Sequence, residues 1–188
     1  MMDRDVSQII EALRSSECGT GAFDAIIARY SERLYWHIRR ILVQHDVSED
    51  ALQDTFVRVF LAAKGFRGTT EAELVSWLYK IATTVALRQL KKRRRHIFMP
   101  LDSLSNQLVA DFEGEIDPDA DDIVVRLQRA VVALPMKQKL VFNLRYYDEL
   151  PFAEISKITG QSVATLKTNY HYAVKKIKES VEELDYDE

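Results

Sequence analysis

The stretch Thr159–Ile177, TGQSVATLKTNYHYAVKKI, carries two different faces at once. Val163, Leu166, Tyr170, Ala173 and Ile177 recur at steps of three and four, which on a helix is a single apolar stripe. Roughly half a turn away stand Ala164, Thr168, His171, Tyr172 and Lys175, too polar for a core and too sparsely charged for ordinary wet surface. Just upstream, Phe152–Ile158 reads as a short helix ending at Gly160, a residue suited to the left-handed position after a helix, and Ser162 can cap the next one. A short helix, a glycine turn and a longer helix make a helix-turn-helix. In that motif the second helix enters the major groove of DNA, which gives the second face a use. A plain helical hairpin with a wet polar face is the alternative on spacing alone.

Outward from this motif the chain keeps a helical period. Ile123, Val124, Leu127, Val131 and Leu134 line one helix that stops at Pro135, and Leu140, Val141 and Leu144 line the next. The N-terminal part reads as four helices. Val6, Ile9, Ile10 and Leu13 mark the first; Phe23, Ile26, Ile27, Tyr30, Leu34, Ile38, Ile41 and Leu42 mark a long second. The third begins at Ser48 as N-cap, with Leu52, Phe56, Val59 and Phe60 as its apolar stripe. The fourth begins near Thr70, which has capping-box spacing to Glu73, and buries Leu74, Leu78, Ile81 and Val85. From Met99 to about Asp119 the period fails, and the segment reads as a linker.

Composition sets the outer limits. The 188 residues are 47% hydrophobic and 29% charged, with 6 Gly and 4 Pro, which fits an all-α chain of one or two soluble domains. No apolar run reaches the ~20 residues that span a bilayer, and MMDRDVSQII lacks a signal-peptide pattern. The single cysteine, Cys18, has no internal disulfide partner, which suits a reducing cytoplasm. The net charge of −3 conceals segregation: Arg88–Arg95 is basic, His96–Val125 has no Lys or Arg, and basic residues return from Arg126 to Lys178. That His96–Val125 stretch carries Asp102, Asp111, Glu113, Glu115, Asp117, Asp119, Asp121 and Asp122. Such an acidic segment can fold back on either basic block.

Two further faces need an explanation. On the third helix Asp50, Asp54, Val57 and Leu61 lie opposite the core stripe, flanked by Gln53 and Arg58. Paired acids beside outward aliphatics suit a protein-docking face, against the alternative of a partly covered helix. The basic block follows Trp77, Tyr79 and Lys80, a combination that favours unpaired nucleic acid over a solvated charge run or a membrane-surface segment, because aromatics stack on bases while cations hold the backbone. Trp77 also lies beside the buried stripe and serves equally well as partial core.

With both halves in view, the chain resembles an extracytoplasmic-function (ECF) sigma factor. SEDALQDTFVRVF, beginning at Ser48, resembles the family segment that grips the clamp helices of RNA polymerase. FRGTTEAELVSWLYKIATTVALRQLKKRRR, beginning at Phe66, resembles its promoter-opening, −10-reading helix. LPMKQKLVFNLRYYDELPFAEISKITGQSVATLKTNYHYAVKKIKE, beginning at Leu134, resembles its −35-reading domain.

The resemblance implies two helical domains joined by a flexible acidic linker: residues 1–96 as sigma region 2, 97–119 as linker and 120–188 as sigma region 4. It implies a non-enzymatic, cofactor-free initiation factor, monomeric when free, with core RNA polymerase (beta-prime clamp helices and beta flap), promoter DNA and an anti-sigma factor as partners. Asp50, Gln53, Asp54, Val57, Arg58 and Leu61 would meet polymerase. Trp77, Lys80, Thr83, Thr84, Arg88, Lys91 and Lys92 would lie along the −10 element, with the loop Gly65–Ala72 holding an extruded base. Lys167, Thr168, Asn169, His171, Tyr172 and Lys175 would face the −35 element. The linker would thread the polymerase interior. The chain departs from the family at Thr83-Thr84, Asn169 and Tyr172, so promoter sequence does not carry over.

Two other readings compete. A free-standing helix-turn-helix regulator normally uses two-fold symmetry to read two half-sites, yet no coiled-coil seam is apparent here. A helical enzyme would use His37, His45 and Asp46, which lack a ligand spacing or an accompanying nucleophile motif. His37 reads instead as an ordinary helix residue and His45-Asp46 as a turn.

Overall fold

Thr70 and Glu73 close the capping box that their spacing predicts. The Glu73 carboxylate accepts from the backbone N–H of Thr69 (2.8 Å) and Thr70 (3.1 Å), and the Thr70 hydroxyl accepts from Glu73 N–H (3.3 Å). These bonds hold the Glu73 carboxyl below its ordinary pKa. From this cap a helix runs over Glu71–His96. The computed structural model describes residues 6–14, 20–96, 103–114, 116 and 122–185, and Cys18 lies outside them.

The described elements are α1 (Val6–Arg14), α2 (Thr20–Leu42), α3 (His45–Ala62), a 3₁₀ turn (Ala63–Gly65), α4 (Glu71–His96), α5 (Ser103–Glu113), α6 (Asp122–Ala133), α7 (Met136–Phe142), α8 (Phe152–Thr159) and α9 (Val163–Asp185). Between α7 and α8 the backbone passes through a π-helical turn, Asn143–Tyr147. Among the described residues there is no strand.

Helices α2, α3 and α4 pack on one another around Ile26, Leu34, Ile38, Ile41, Val59, Leu74 and Leu78, all fully buried, and α1 covers one end with Ile9 and Leu13. A second cluster, Ala130, Val131, Leu134, Phe142, Ala173 and Ile177, holds α6, α7 and α9 together. The two halves are not separate. Leu140, Val141, Leu144, Leu150, Ile155, Ile158 and Leu166 belong to the same apolar core as the N-terminal helices, and α4 packs against α8.

Several sequence expectations change here. Ser48 is not an N-cap. Helix α3 starts three residues earlier at His45, and the buried Ser48 hydroxyl donates to Gln44 C=O (2.6 Å), so His45-Asp46 opens the helix rather than forming a turn before it. Phe60 is 52% exposed rather than core, its ring set edge-on to Phe23 at 5.3 Å. The aperiodic linker contains helix α5, anchored by the buried Leu108 and by Arg93, whose guanidinium grips both Asp111 oxygens (2.7 and 3.1 Å). It packs along α6, so much of its support comes from outside the segment, which leaves only a faint trace in local periodicity.

Candidate polymerase and promoter interfaces

On α3, burial of Ala51, Thr55, Phe56 and Val59 turns the opposite side outward. Asp50, Gln53, Asp54, Val57, Arg58 and Leu61 are all exposed, with Val57 at 58% and Leu61 at 74%. Phe60 extends the same apolar surface, a contribution hidden by its place in the stripe pattern. Exposed aliphatic and aromatic groups edged by two carboxylates make a surface that gains free energy when a partner covers it.

On α4, Lys80, Thr84, Arg88, Lys91 and Lys92 are exposed and succeed one another at helical spacing. The Thr84 hydroxyl donates to Lys80 C=O (2.7 Å) and still offers lone pairs outward. Trp77 is half-buried against Phe66, with ring centroids 5.0 Å apart. That contact shapes the loop before α4: a side chain at Gly68 would collide with the Phe66 ring, and Arg67 ties back to Lys64 C=O (2.8 Å) and Phe66 C=O (2.9 Å). Thr83 differs from its neighbours. It is 4% exposed and its hydroxyl lies 2.8 Å from His37 Nε2, so in this arrangement it faces inward.

The helix-turn-helix is built as its residues suggest. Gly160 takes φ 72° and its N–H donates to Ser156 C=O (2.8 Å), ending α8. Ser162 Oγ accepts from Thr165 N–H (3.1 Å), capping α9. Leu166, Ala173 and Ile177 are buried and Tyr170 stacks on Phe142 (6.0 Å), so the stripe holds the helix to its neighbours. Val163, at 37% exposure, contributes less than its place in the stripe suggests. Lys167, Thr168, His171, Tyr172 and Lys175 are exposed. Asn169 is half-buried and donates to the Gln161 side chain (3.2 Å), while Lys175 sits 3.7 Å from Glu179.

His37 is more than an ordinary helix residue. It is fully buried, with Nδ1 3.0 Å from Asp148 Oδ2. The same carboxylate accepts from Arg40 (2.5 Å) and Tyr79 (3.2 Å). Burial and the neighbouring carboxylate push the Tyr79 hydroxyl well above its ordinary pKa, so it serves as a donor. Local sequence holds no signal for this role, because the partner of His37 is 111 positions away. His45 lies elsewhere, bonded to the Tyr35 hydroxyl (2.7 Å) and near Glu49 (3.5 Å), so His37 and His45 do not converge on one site. Among the described residues no cluster of three or more His, Cys, Asp or Glu is placed to hold a metal, and no helix is long and apolar enough to cross a membrane.

Two known sequence families match the chain, one in each half. The family Sigma-70 region 2 matches residues 26–96, and Sigma-70, region 4 matches residues 125–177. The ECF RNA polymerase sigma factor SigW of Bacillus subtilis is 27% identical over 173 residues, covering 87% of this chain and 90% of that protein. The ECF RNA polymerase sigma factor SigM of Mycobacterium tuberculosis is 25% identical over 147 residues, covering 78% and 70%. A Bartonella quintana sigma factor RpoE, solved in complex with the anti-sigma factor NepR, shares the fold with TM-score 0.66 at 18% identity, over 85% of this chain and 96% of that one. The exposed α3 face and the basic α4 fall inside the first matched region and the helix-turn-helix inside the second, and the chain belongs to the sigma-70 family as an ECF sigma factor, a non-enzymatic factor for promoter-specific transcription initiation.

Proposed function

We propose that the α3 face of Asp50, Gln53, Asp54, Val57, Arg58, Phe60 and Leu61 docks on the beta-prime clamp helices of core RNA polymerase. In this reading residues 1–96 act as the clamp-binding and −10-reading domain, 97–119 as the linker and 120–188 as the −35-reading domain, which also contacts the beta flap. Lys80, Thr84, Arg88, Lys91 and Lys92 track the −10 backbone, Trp77 and the Gly65–Ala72 loop receive an unstacked base, and Thr83 joins them when its face is uncovered. Lys167 and Lys175 hold phosphates, while Thr168, His171 and Tyr172 meet base edges, with Asn169 steadied by Gln161.

The observation that carries this reading is the α3 surface. Its outward aliphatics flank two carboxylates on a helix whose opposite side is fully buried. A free-standing DNA-binding regulator has no use for such a face. In the free chain the linker's Asp111 pairs with Arg93 and its Glu113 with Arg129 (2.7 Å), so these acids take cationic partners from both halves. The protein works in the cytoplasm as a monomer awaiting polymerase, held in reserve by an anti-sigma partner. Charge reversal of Asp50 and Asp54 together tests the assignment: the double variant keeps its helical circular dichroism and no longer co-purifies with core polymerase. Undiminished co-purification rejects it.

A further inference from the structure

Beside its core stripe, the C-terminal part of α2 carries a second face. Trp36, Arg39, Arg40 and Val43 fall at i, i+3, i+4 and i+7, so they share one side of the helix. They line a cleft of about 200 Å³. Helix α6 adds Gln128, Val131 and Val132 to it, and the rings of Phe112 and Tyr147 complete the lining. None of these residues belongs to the polymerase or promoter surfaces described above, so the proposed function leaves the cleft unused.

Its chemistry is specific. Trp36 is 50% exposed beside two other rings, which leaves planar surface for stacking. Charge is one-sided: two arginines line the cleft, and among its described lining residues there is no Asp or Glu. Arg40 is fixed, its guanidinium 4.7 Å over the Tyr147 ring and bonded to Asp148, yet its buried Nε makes no hydrogen bond. A guanidinium short of acceptors in apolar surroundings favours an added anion. The backbone is strained at the same place. Val43 takes φ 72°, its N–H donating to Arg39 C=O (2.8 Å), at a position after a helix that usually goes to Gly or Asn. A β-branched residue is an outlier there, and such strain gathers at ligand sites.

We propose that this cleft is a binding site for a small planar aromatic carboxylic acid, its ring against Trp36 and its carboxylate on Arg39. Asp148 already offsets the Arg40 charge, which is why the carboxylate is assigned chiefly to Arg39. Sites for drug-sized ligands run to ~300–1,000 Å³, so this smaller one suits one or two fused rings. A cationic ligand would be repelled by both arginines, and an uncharged one would gain no charge-assisted bond from them.

The probe is 2-naphthoate, with uncharged 2-naphthamide as its control, titrated into the full-length protein labelled with nitrogen-15. The chain has two tryptophans, Trp36 and Trp77, so each indole N–H gives its own magnetic-resonance signal, and Trp36→Phe identifies them. Naphthoate should shift the Trp36 signal saturably and leave the Trp77 signal in place. Naphthamide should bind ~tenfold or more weakly, the loss expected without a charge-assisted bond to a guanidinium. Arg39→Gln should erase that preference by weakening naphthoate alone. Gln128→Trp, at an exposed position, should fill the cleft and weaken both probes. Circular dichroism checks that each variant folds, and the preference for the anion is read on the wild-type chain without either. An unmoved Trp36 signal, equal wild-type affinity for the two probes, or undiminished naphthoate binding by folded Arg39→Gln and Gln128→Trp overturns the site. The sigma-factor assignment rests on other residues and survives each of these results.

Discussion

Replacing Val57 and Leu61 with Asn together should separate polymerase binding from folding. Both side chains point away from the core, with 58% and 74% of their surface exposed, so the free protein loses little packing when they are replaced. Fully burying a Val or Leu side chain is worth about 1.5–3 kcal/mol. Scaled by these exposures, a partner covering both gains roughly 2–4 kcal/mol, and Asn forfeits most of it while adding an amide to desolvate. That corresponds to about a 30- to 700-fold weaker Kd for core polymerase. Fluorescence anisotropy with labelled protein and graded core polymerase reads the loss, and thermal melting in parallel should move by less than about 2 °C. A Kd within about threefold of wild type, less than 1 kcal/mol, would refute the docking face. A large fall in melting temperature would refute the claim that these residues lie outside the core.

Other consequences can be checked separately. Lys175→Ala should weaken all promoters alike and lower the salt slope by about one unit, whereas His171→Ala or Thr168→Ala should alter the preferred −35 bases at roughly 1–3 kcal/mol per contact; a randomised −35 library transcribed by each variant distinguishes them. Burial holds Lys139 at a pKa of about 7 against 10.5, so the unfolded chain binds the extra proton between those values and wild-type stability should rise with pH across that window. Lys139→Met should remove that rise, which approaches ~1.4 kcal/mol per pH unit, in denaturant titrations of both proteins from about pH 7 to 10. Glu73→Ala should cost about 1 kcal/mol by opening the α4 cap, read by the same titration.

Residues that act through their own helix were legible in the sequence. The Thr70–Glu73 box, Gly160 as terminator and Ser162 as cap all depend on neighbours within four positions, and each forms the expected bond. The outward α3 face was legible for the same reason, since helical period alone separates Asp50, Asp54 and Leu61 from Ala51, Thr55 and Val59. What escaped was long-range. Thr83 has the spacing of a DNA-facing residue, but His37 from α2 captures its hydroxyl. Asp148 sits in an ordinary YYDEL stretch until folding brings His37, Arg40 and Tyr79 around it. Helix α5 likewise owes its place to Arg93 and a buried Leu108, contacts that local periodicity does not reveal.

As a sigma factor, this chain tells polymerase where to start. Core RNA polymerase is incubated with genomic DNA, with and without the protein, and the 5′ ends of all transcripts are sequenced. A new set of starts should appear only with the protein and share paired motifs near −10 and −35. Identical 5′ ends in the two reactions would contradict it.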